Sequence, residues 1–365
     1  MIVDDIGLLQ CPQCKKASLT LSREQKDISG AVRSGSVHCE YCNNIYLIIE
    51  YILIALPREQ ALLLLPEHLR CLFQESSLGQ MDYQCKVNNK AIQSALNWEE
   101  QFAHSFNLLN QNFENDGFWG EWAFWQFCGL APEGVRQKTI CVYCGGSGRE
   151  AYHLNKAEPR KIFVVDIGAH IFNIPKLCPD NLDTMVLIMA DFFTPILQPG
   201  VIDISICDHA LQHICDNKMA FEHIVKATSD GGIISVCVYS HENNFVMTHI
   251  VEPLKPIMHK CSTNLLRRLS NIFAVMLFSV WLIYKNVGSL FPKIDTMPYY
   301  KLFSLWGKDG YAKFHEACFD LLHAPISHHF KKDELLSMGL ANHLHVRSLQ
   351  MINKTMWTMV TQKVK

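Results

Sequence analysis

Charge is scarce in this 365-residue chain: 19% of its residues are charged, and 33 Lys and Arg against 35 Asp and Glu leave a formal net charge of −2. No bulk positive field draws in polyanions, so no nucleic acid is expected as a partner. Low-complexity composition is also missing. Hydrophobic residues make up 49% of the chain and mean hydropathy is +0.05, a composition that folds. The opening Met1-Ile2-Val3-Asp4-Asp5 carries acid where a secretory leader carries base, and no leader is expected. Long apolar runs are lacking as well. The most apolar stretch, Ile272 to Tyr284, has 13 residues, short of the roughly 20 that span a bilayer, so it is long enough to lie on a membrane but is not expected to cross one.

Cysteine, by contrast, is plentiful. There are 15, an odd number, and most stand alone in apolar runs, as Cys207 and Cys237 do. That usage points to a reducing compartment and a cytoplasmic location. Four of them form a pattern: Cys11-Pro12-Gln13-Cys14 and Cys39-Glu40-Tyr41-Cys42 are two C-x-x-C pairs separated by 24 residues. Two such knuckles complete a tetrahedral thiolate shell, the one zinc favours, with no open position. Cys11, Cys14, Cys39 and Cys42 are therefore expected to hold a structural zinc. Cys141 and Cys144 share the spacing but have no second pair nearby, and read as packing residues.

The apolar stretch from Ile45 to Pro57 follows the second knuckle. Residues 1–57 thus resemble the small zinc-ribbon family that activates tRNA and protein methyltransferases, without that family's long middle domain. Residues 58–135 read as a helical connector and a segment covering the next domain, and they carry the aromatic cluster Phe113, Phe118, Trp119, Trp122, Phe124, Trp125 and Phe127. That cluster is read first as core packing and, over Phe118 to Trp122, as an entrance wall.

From Lys138 onward, short apolar runs alternate with helical stretches: Thr139 to Cys144, Lys161 to Asp166, Met185 to Ala190, Ile202 to Cys207 and Gly232 to Tyr239. This predicts an α/β, doubly wound, Rossmann-like parallel sheet over residues 136–365, with ligands bound beyond the carboxyl ends of its strands. After the first run comes Cys144-Gly145-Gly146-Ser147-Gly148, a glycine turn opening a helix, which lets backbone approach a ligand closely. Asp166 ends the second run, where a carboxylate accepts hydrogen bonds from a ribose diol. Asp191 and Phe192 follow the third and offer an acid and an aromatic face to adenine. Together these point to adenosine. A nicotinamide enzyme stays open, since Gly146-Ser147-Gly148-Arg149-Glu150-Ala151 satisfies G-x-G-x-x-G/A.

With Asp208-His209-Ala210-Leu211-Gln212-His213-Ile214 and Asp230-Gly231-Gly232 added, the stretch from about Gln111 to Lys363 resembles the class I S-adenosylmethionine-dependent methyltransferases, in the branch acting on quinones and small molecules. The resemblance implies S-adenosylmethionine held by Cys144, Gly146, Gly148, Asp166, Asp191 and Phe192. It also implies a reversed terminal hairpin formed by residues 343–350 and 355–364. Where that family has an acid and a loop glycine, this chain has Val142 and Cys144, which keeps a second reading open: an adaptor of this fold whose ribbon recruits a partner. The end of the fourth strand lacks the Asn/Asp-Pro-Pro-aromatic sequence of enzymes that methylate planar amines, so oxygen or carbon of a small molecule is the expected acceptor. His213 and His241 are the candidate catalytic bases, although each histidine has a plainer reading as a capping or packing residue. Asp208 either orients a histidine or caps a helix. The insertion at about 245–311 carries Lys255, Lys260, Arg267, Arg268 and Lys285 around its apolar run. It reads as a lid with peripheral membrane contact through 263–291 over a lipid-linked acceptor, or as a buried cap or homodimer contact.

Overall fold

The computed structural model describes residues 1–75, 92, 95, 96, 113–258, 261–290 and 293–364. Within these, eleven strands form one continuous sheet in the order β1-β2-β3-β4-β7-β6-β5-β8-β9-β11-β10. The first four are the ribbon: β1 (Leu19–Lys26), β2 (Val32–Cys39), β3 (Ile45–Ile49) and β4 (Ile52–Ile54), each antiparallel to the next. Glu50 and Tyr51 join β3 to β4 with φ of +46° and +72°, the left-handed pair that matches the twist of a two-residue hairpin.

The remaining strands are β5 (Thr139–Tyr143), β6 (Lys161–Asp166), β7 (Met185–Met189), β8 (Ile202–Asp208), β9 (Thr228–Tyr239), β10 (Leu344–Ile352) and β11 (Met356–Lys363). The pairings β7-β6-β5-β8-β9 are all parallel, while β11 runs antiparallel between β9 and β10. This is the doubly wound order with a reversed terminal hairpin that the sequence led us to expect. Every residue of β5 and of β7 is buried, because helices cover both faces of a parallel sheet and its strands are accordingly mostly apolar. The expected start of the fifth strand at Gly232 is moved to Thr228, since Ile202 already pairs with Thr228 across an irregularity in the ladder.

The ribbon is not a separate bead. Ile52, Leu53 and Ile54 pair in parallel with Leu187, Ile188 and Met189, so β4 extends the parallel sheet beyond its β7 edge. The Ala55 N–H continues the ladder to the Met189 carbonyl at 2.8 Å, and Lys161 meets Asp5 at 3.0 Å.

Of the connector, the helices Arg58–Leu64, Glu67–Glu75 and Glu121–Cys128 are described; most of 76–112 lies outside the described residues. The insertion is helical as expected. Its Ile272 to Tyr284 run is the middle of a 25-residue helix, Thr263–Val287, whose length and composition suffice to cross a membrane. That corrects the expectation of a stretch too short to do so. Phe303, Trp306 and Phe314 form a second core that packs on Phe127, Cys237 and Met356, which seats the insertion over the carboxyl ends of the strands.

Candidate functional site

Four sulfurs gather at the N-terminal end of the sheet. Cys11 Sγ lies 3.5 Å from Cys42 Sγ, Cys14 Sγ lies 3.5 Å from Cys39 Sγ, and all four are within 4.8 Å of one another. A tetrahedral ion at Zn–S distances of about 2.3 Å needs sulfurs at nearly this spacing. Tyr46 Oη reaches Cys11 Sγ at 3.1 Å and Ser18 Oγ reaches Cys39 Sγ at 3.4 Å, outer partners of the kind that orient ligating thiolates. No described cysteine forms a disulfide. The donor set fits structural zinc.

The second site is a cavity of about 550 Å³ beyond the carboxyl ends of the strands, where the order reverses between β5 and β8. One end is built by the turn after β5. Cys144, Gly146 and Gly148 have φ of +55°, +54° and +107°, a region that costs an L residue free energy and glycine little. Cys144 bears that cost, and its N–H donates to the Val165 carbonyl at 2.7 Å, which fixes the turn against β6. At Gly148 a Cβ would stand 2.8 Å from Ile174 Cγ1, so that glycine serves the turn and the packing under the Arg149–Lys156 helix; it does not line the cavity.

Asp166 sits buried at the end of β6. Its Oδ2 accepts the Gly146 N–H at 2.9 Å, and its Oδ1 accepts the Gly168 N–H at 2.8 Å and His170 Nε2 at 3.0 Å. Burial opposes its charge, yet His170 and the two peptide donors hold the carboxyl below its ordinary range. Asp191, after β7, accepts the Phe193 N–H at 3.0 Å, and burial raises its carboxyl. Cys144, Gly146, Asp166, Asp191 and Phe192 all line the cavity, so the structure brings together five of the six residues expected to hold a nucleoside.

The middle of the cavity contains a charge network the sequence did not disclose. Buried Arg149 pairs with Glu150 at 2.7 Å and with Asp208. Its guanidinium lies 5.5 Å from the rings of Phe118 and Trp119 and 5.7 Å from that of Phe127. Those aromatic faces therefore meet a resident cation. Asp208 also accepts His209 Nδ1 at 2.5 Å, so of the two roles read for it, orienting a histidine is the one observed. Burial opposes its ionisation, but His209 and Arg149 keep its carboxyl low. Asp208, His209 and Cys237 are close enough to suggest a metal, but Arg149 already satisfies the carboxylate. Phe118 and Trp119 wall the cavity as expected, and the Phe118 N–H donates to Asp309 of the insertion at 2.7 Å; Trp122, 56% exposed, points elsewhere.

The far end is closed by the insertion. Leu277, Val280 and Tyr284 from the Thr263–Val287 helix make an apolar wall. Lys313, Glu316 and Asp320 line it from one face of the Tyr311–His323 helix, three and four residues apart. Lys313 pairs with Glu316. Tyr239, at the end of β9, donates its hydroxyl to Asp320 Oδ2 at 3.4 Å, while Asp320 Oδ1 is buried with no hydrogen-bond partner. Burial, reinforced by the Glu316 charge, pushes the Asp320 carboxyl up to about 7.

Of the two histidines expected to act as bases, His213 lines the cavity. It donates from Nδ1 to the Ile326 carbonyl at 2.7 Å, its ring stands edge-on to Tyr239 at 5.5 Å, and burial lowers it to about 3. His241 is exposed and outside the cavity; β9 ends at Tyr239, which lines the site, and two residues later the His241 N–H is tied to the Phe330 carbonyl at 2.8 Å. Asp320 had one faint signal: acids and a lysine at helical spacing on an otherwise apolar segment. Arg149 had none beyond following the glycine turn.

No protein-family model and no curated protein sequence matches this chain. Among solved structures it is similar to a chain from a complex containing the Haloferax volcanii Trm112 methyltransferase activator, with 12% identity, 73% of this chain and 97% of that chain covered, and a TM-score of 0.45. It is similar to the magnesium protoporphyrin IX methyltransferase of Synechocystis PCC 6803 with bound SAH, at 10% identity, 76% and 100% coverage and a TM-score of 0.44. The 1,6-didemethyltoxoflavin-N1-methyltransferase of Burkholderia thailandensis gives 9% identity, 75% and 91% coverage and a TM-score of 0.42. These scores lie below 0.5, and the methyltransferase-like fold stands on the strand order and register described above.

Proposed function

We propose that this protein is an S-adenosylmethionine-dependent methyltransferase acting at an oxygen of a small, apolar or lipid-linked acceptor. The observation that carries the reading is a single cavity at the strand-order reversal with two chemically distinct ends: Asp166, Asp191, Phe192 and a glycine turn at one, an apolar wall with Tyr239, Asp320 and the Lys313–Glu316 pair at the other. Such a cavity has room for a drug-sized ligand, and its polar groups are few and convergent. Asp166 would hold a ribose hydroxyl, since Oδ2 accepts only the Gly146 N–H and keeps one lone pair, while Oδ1 is filled by Gly168 and His170. Asp191 and Phe192 would hold the adenine.

When bound, the cofactor supplies an electrophilic methyl group on a positively charged sulfur. The chain's own task is to align the acceptor and take its proton. Asp320 is the group we assign to that proton. Its side chain lines the cavity, and with a proton affinity near neutrality it is a better match to a hydroxyl's proton transfer than His213, whose burial leaves it a weak base. Tyr239 positions the carboxyl, and the edge-on His213 ring holds Tyr239 in place.

Calorimetric titration with S-adenosylhomocysteine tests the reading. Saturable one-to-one heat is expected from the full chain, lost or weakened on the order of a hundredfold in Asp166→Ala, from which charged hydrogen-bond acceptance is removed. No heat from the unaltered protein, with Asp166→Ala indistinguishable from it, would leave the adaptor reading in its place.

A further inference from the structure

The Thr263–Val287 helix is apolar on two sides. Its inner side packs on the body of the protein, with Ala274 fully buried, Phe278 within 5.4 Å of the Phe314 ring and Leu277, Val280 and Tyr284 facing the cavity. Its outer side is apolar too, yet nothing described covers it. Leu265, Ile272, Met276 and Ile283 are 44%, 57%, 57% and 61% exposed, and their spacing of seven, four and seven residues sets them in one stripe. Val275, at 51%, widens it. A water-facing side of a helix is normally polar, and an exposed apolar stripe of this length marks a contact surface.

Charge selects the partner. Between Glu252 and Asp295 the sequence contains six basic residues, Lys255, Lys260, Arg267, Arg268, Lys285 and Lys293, and no acid, in a chain whose net charge is −2. Arg268, Lys285 and Lys293 are exposed, whereas Lys255 is buried and paired with Glu252. An apolar stripe flanked by bases matches a bilayer whose surface is anionic: side chains enter the acyl boundary while the bases meet headgroup phosphates. The helix cannot cross that bilayer while its inner side is packed on the Tyr311–His323 helix, so it lies in the plane of the surface. Val246, which both lines the cavity and is 43% exposed, puts the cavity's rim on the same insertion.

We propose that the outer face of the Thr263–Val287 helix docks this protein on an anionic lipid surface, and that the acceptor enters the cavity from that surface. The contact stands on the helix alone; its link to an acceptor rests on the methyltransferase reading.

The test is sedimentation of the full chain with vesicles of phosphatidylcholine alone and of phosphatidylcholine with about 30 mol% phosphatidylglycerol, at about 0.1 M salt. Binding to the anionic vesicles is expected, weakened on the order of tenfold in the zwitterionic ones and released by about 0.5 M salt. The double variant Ile272→Asp, Met276→Asp should lose binding on the order of tenfold or more while keeping its circular dichroism and its S-adenosylhomocysteine heat, because both side chains are exposed. Arg268→Gln with Lys285→Gln, a milder change at the surface, should lower only the anionic preference. Three results would overturn the proposal: a chain that stays in the supernatant with both vesicles, one that salt does not release and detergent alone extracts, or a concentration-dependent dimer that the aspartate variant abolishes. Vesicle binding without S-adenosylhomocysteine heat would instead remove the enzymatic reading and leave the surface contact standing.

Discussion

Asp320 should make the folded protein less stable as pH rises through neutrality, and replacing it with asparagine should relieve that loss. Its carboxyl is raised from 3.8 to about 7, first by burial and then by Glu316, against the attraction of Lys313 and Lys255. At 1.36 kcal/mol per unit, the shift corresponds to about 4 kcal/mol of linkage. The sign follows from which state binds the proton more tightly. The folded chain does, so this contribution is fully present below the unfolded value near 4, falls between about pH 4 and 7, and is gone above the folded value. Asp320→Asn has no proton to lose. Urea melts followed by far-ultraviolet circular dichroism at half-unit steps from pH 5 to 8.5 should show the variant gaining on the unaltered protein by up to about 1.4 kcal/mol per unit below pH 7 and levelling off above it. A difference constant within about 0.5 kcal/mol across that range would refute the burial argument, and with it the assignment of Asp320 as a proton acceptor poised near neutrality.

Two further perturbations address the ribbon. Metal analysis of the purified chain should return about one zinc, and Cys39→Ser should lower that content and weaken amide protection most strongly in residues 1–57; a metal-free chain protected throughout would contradict the four-sulfur site. Leu53 is fully buried in the strand that pairs with β7, and Leu53→Ala should cost about 2–5 kcal/mol in a single cooperative transition. An early, separate melt of the ribbon that leaves the rest unchanged would mean that the two parts do not share a core.

What could be read from the sequence was what is local. β5 to β8 announce themselves because a parallel strand covered on both faces is a predominantly apolar run, and Asp166 and Asp191 follow from being the first acids at the ends of such runs. That Cys144, Gly146, Asp166, Asp191 and Phe192 meet at one end of the cavity was therefore legible almost residue by residue. The other end was not, because its parts are far apart in sequence: Tyr239 and Asp320 are separated by 81 residues and Arg149 and Asp208 by 59. Nothing in either partner's neighbourhood encodes the meeting. His241 misled for a related reason. Proximity to the end of β9 suggested the ligand side, but the strand pairs on through Tyr239, and His241, two residues further on, is exposed with its N–H spent on the Phe330 carbonyl. The β4 to β7 pairing was equally silent, since three apolar residues before a proline carry no hint of a strand more than a hundred residues away.

That pairing gives the metal knuckle a second duty. A parallel sheet ending at β7 would present a row of unpaired amides and carbonyls beside fully apolar side chains, a template for any extended chain in the vicinity. Because β4 caps that row from within the same polypeptide, the protection is always present at one copy per molecule and cannot be diluted away. A chelator or an oxidant that strips the sulfurs would then uncover adhesive backbone along β7, and the first visible sign of zinc loss would be turbidity.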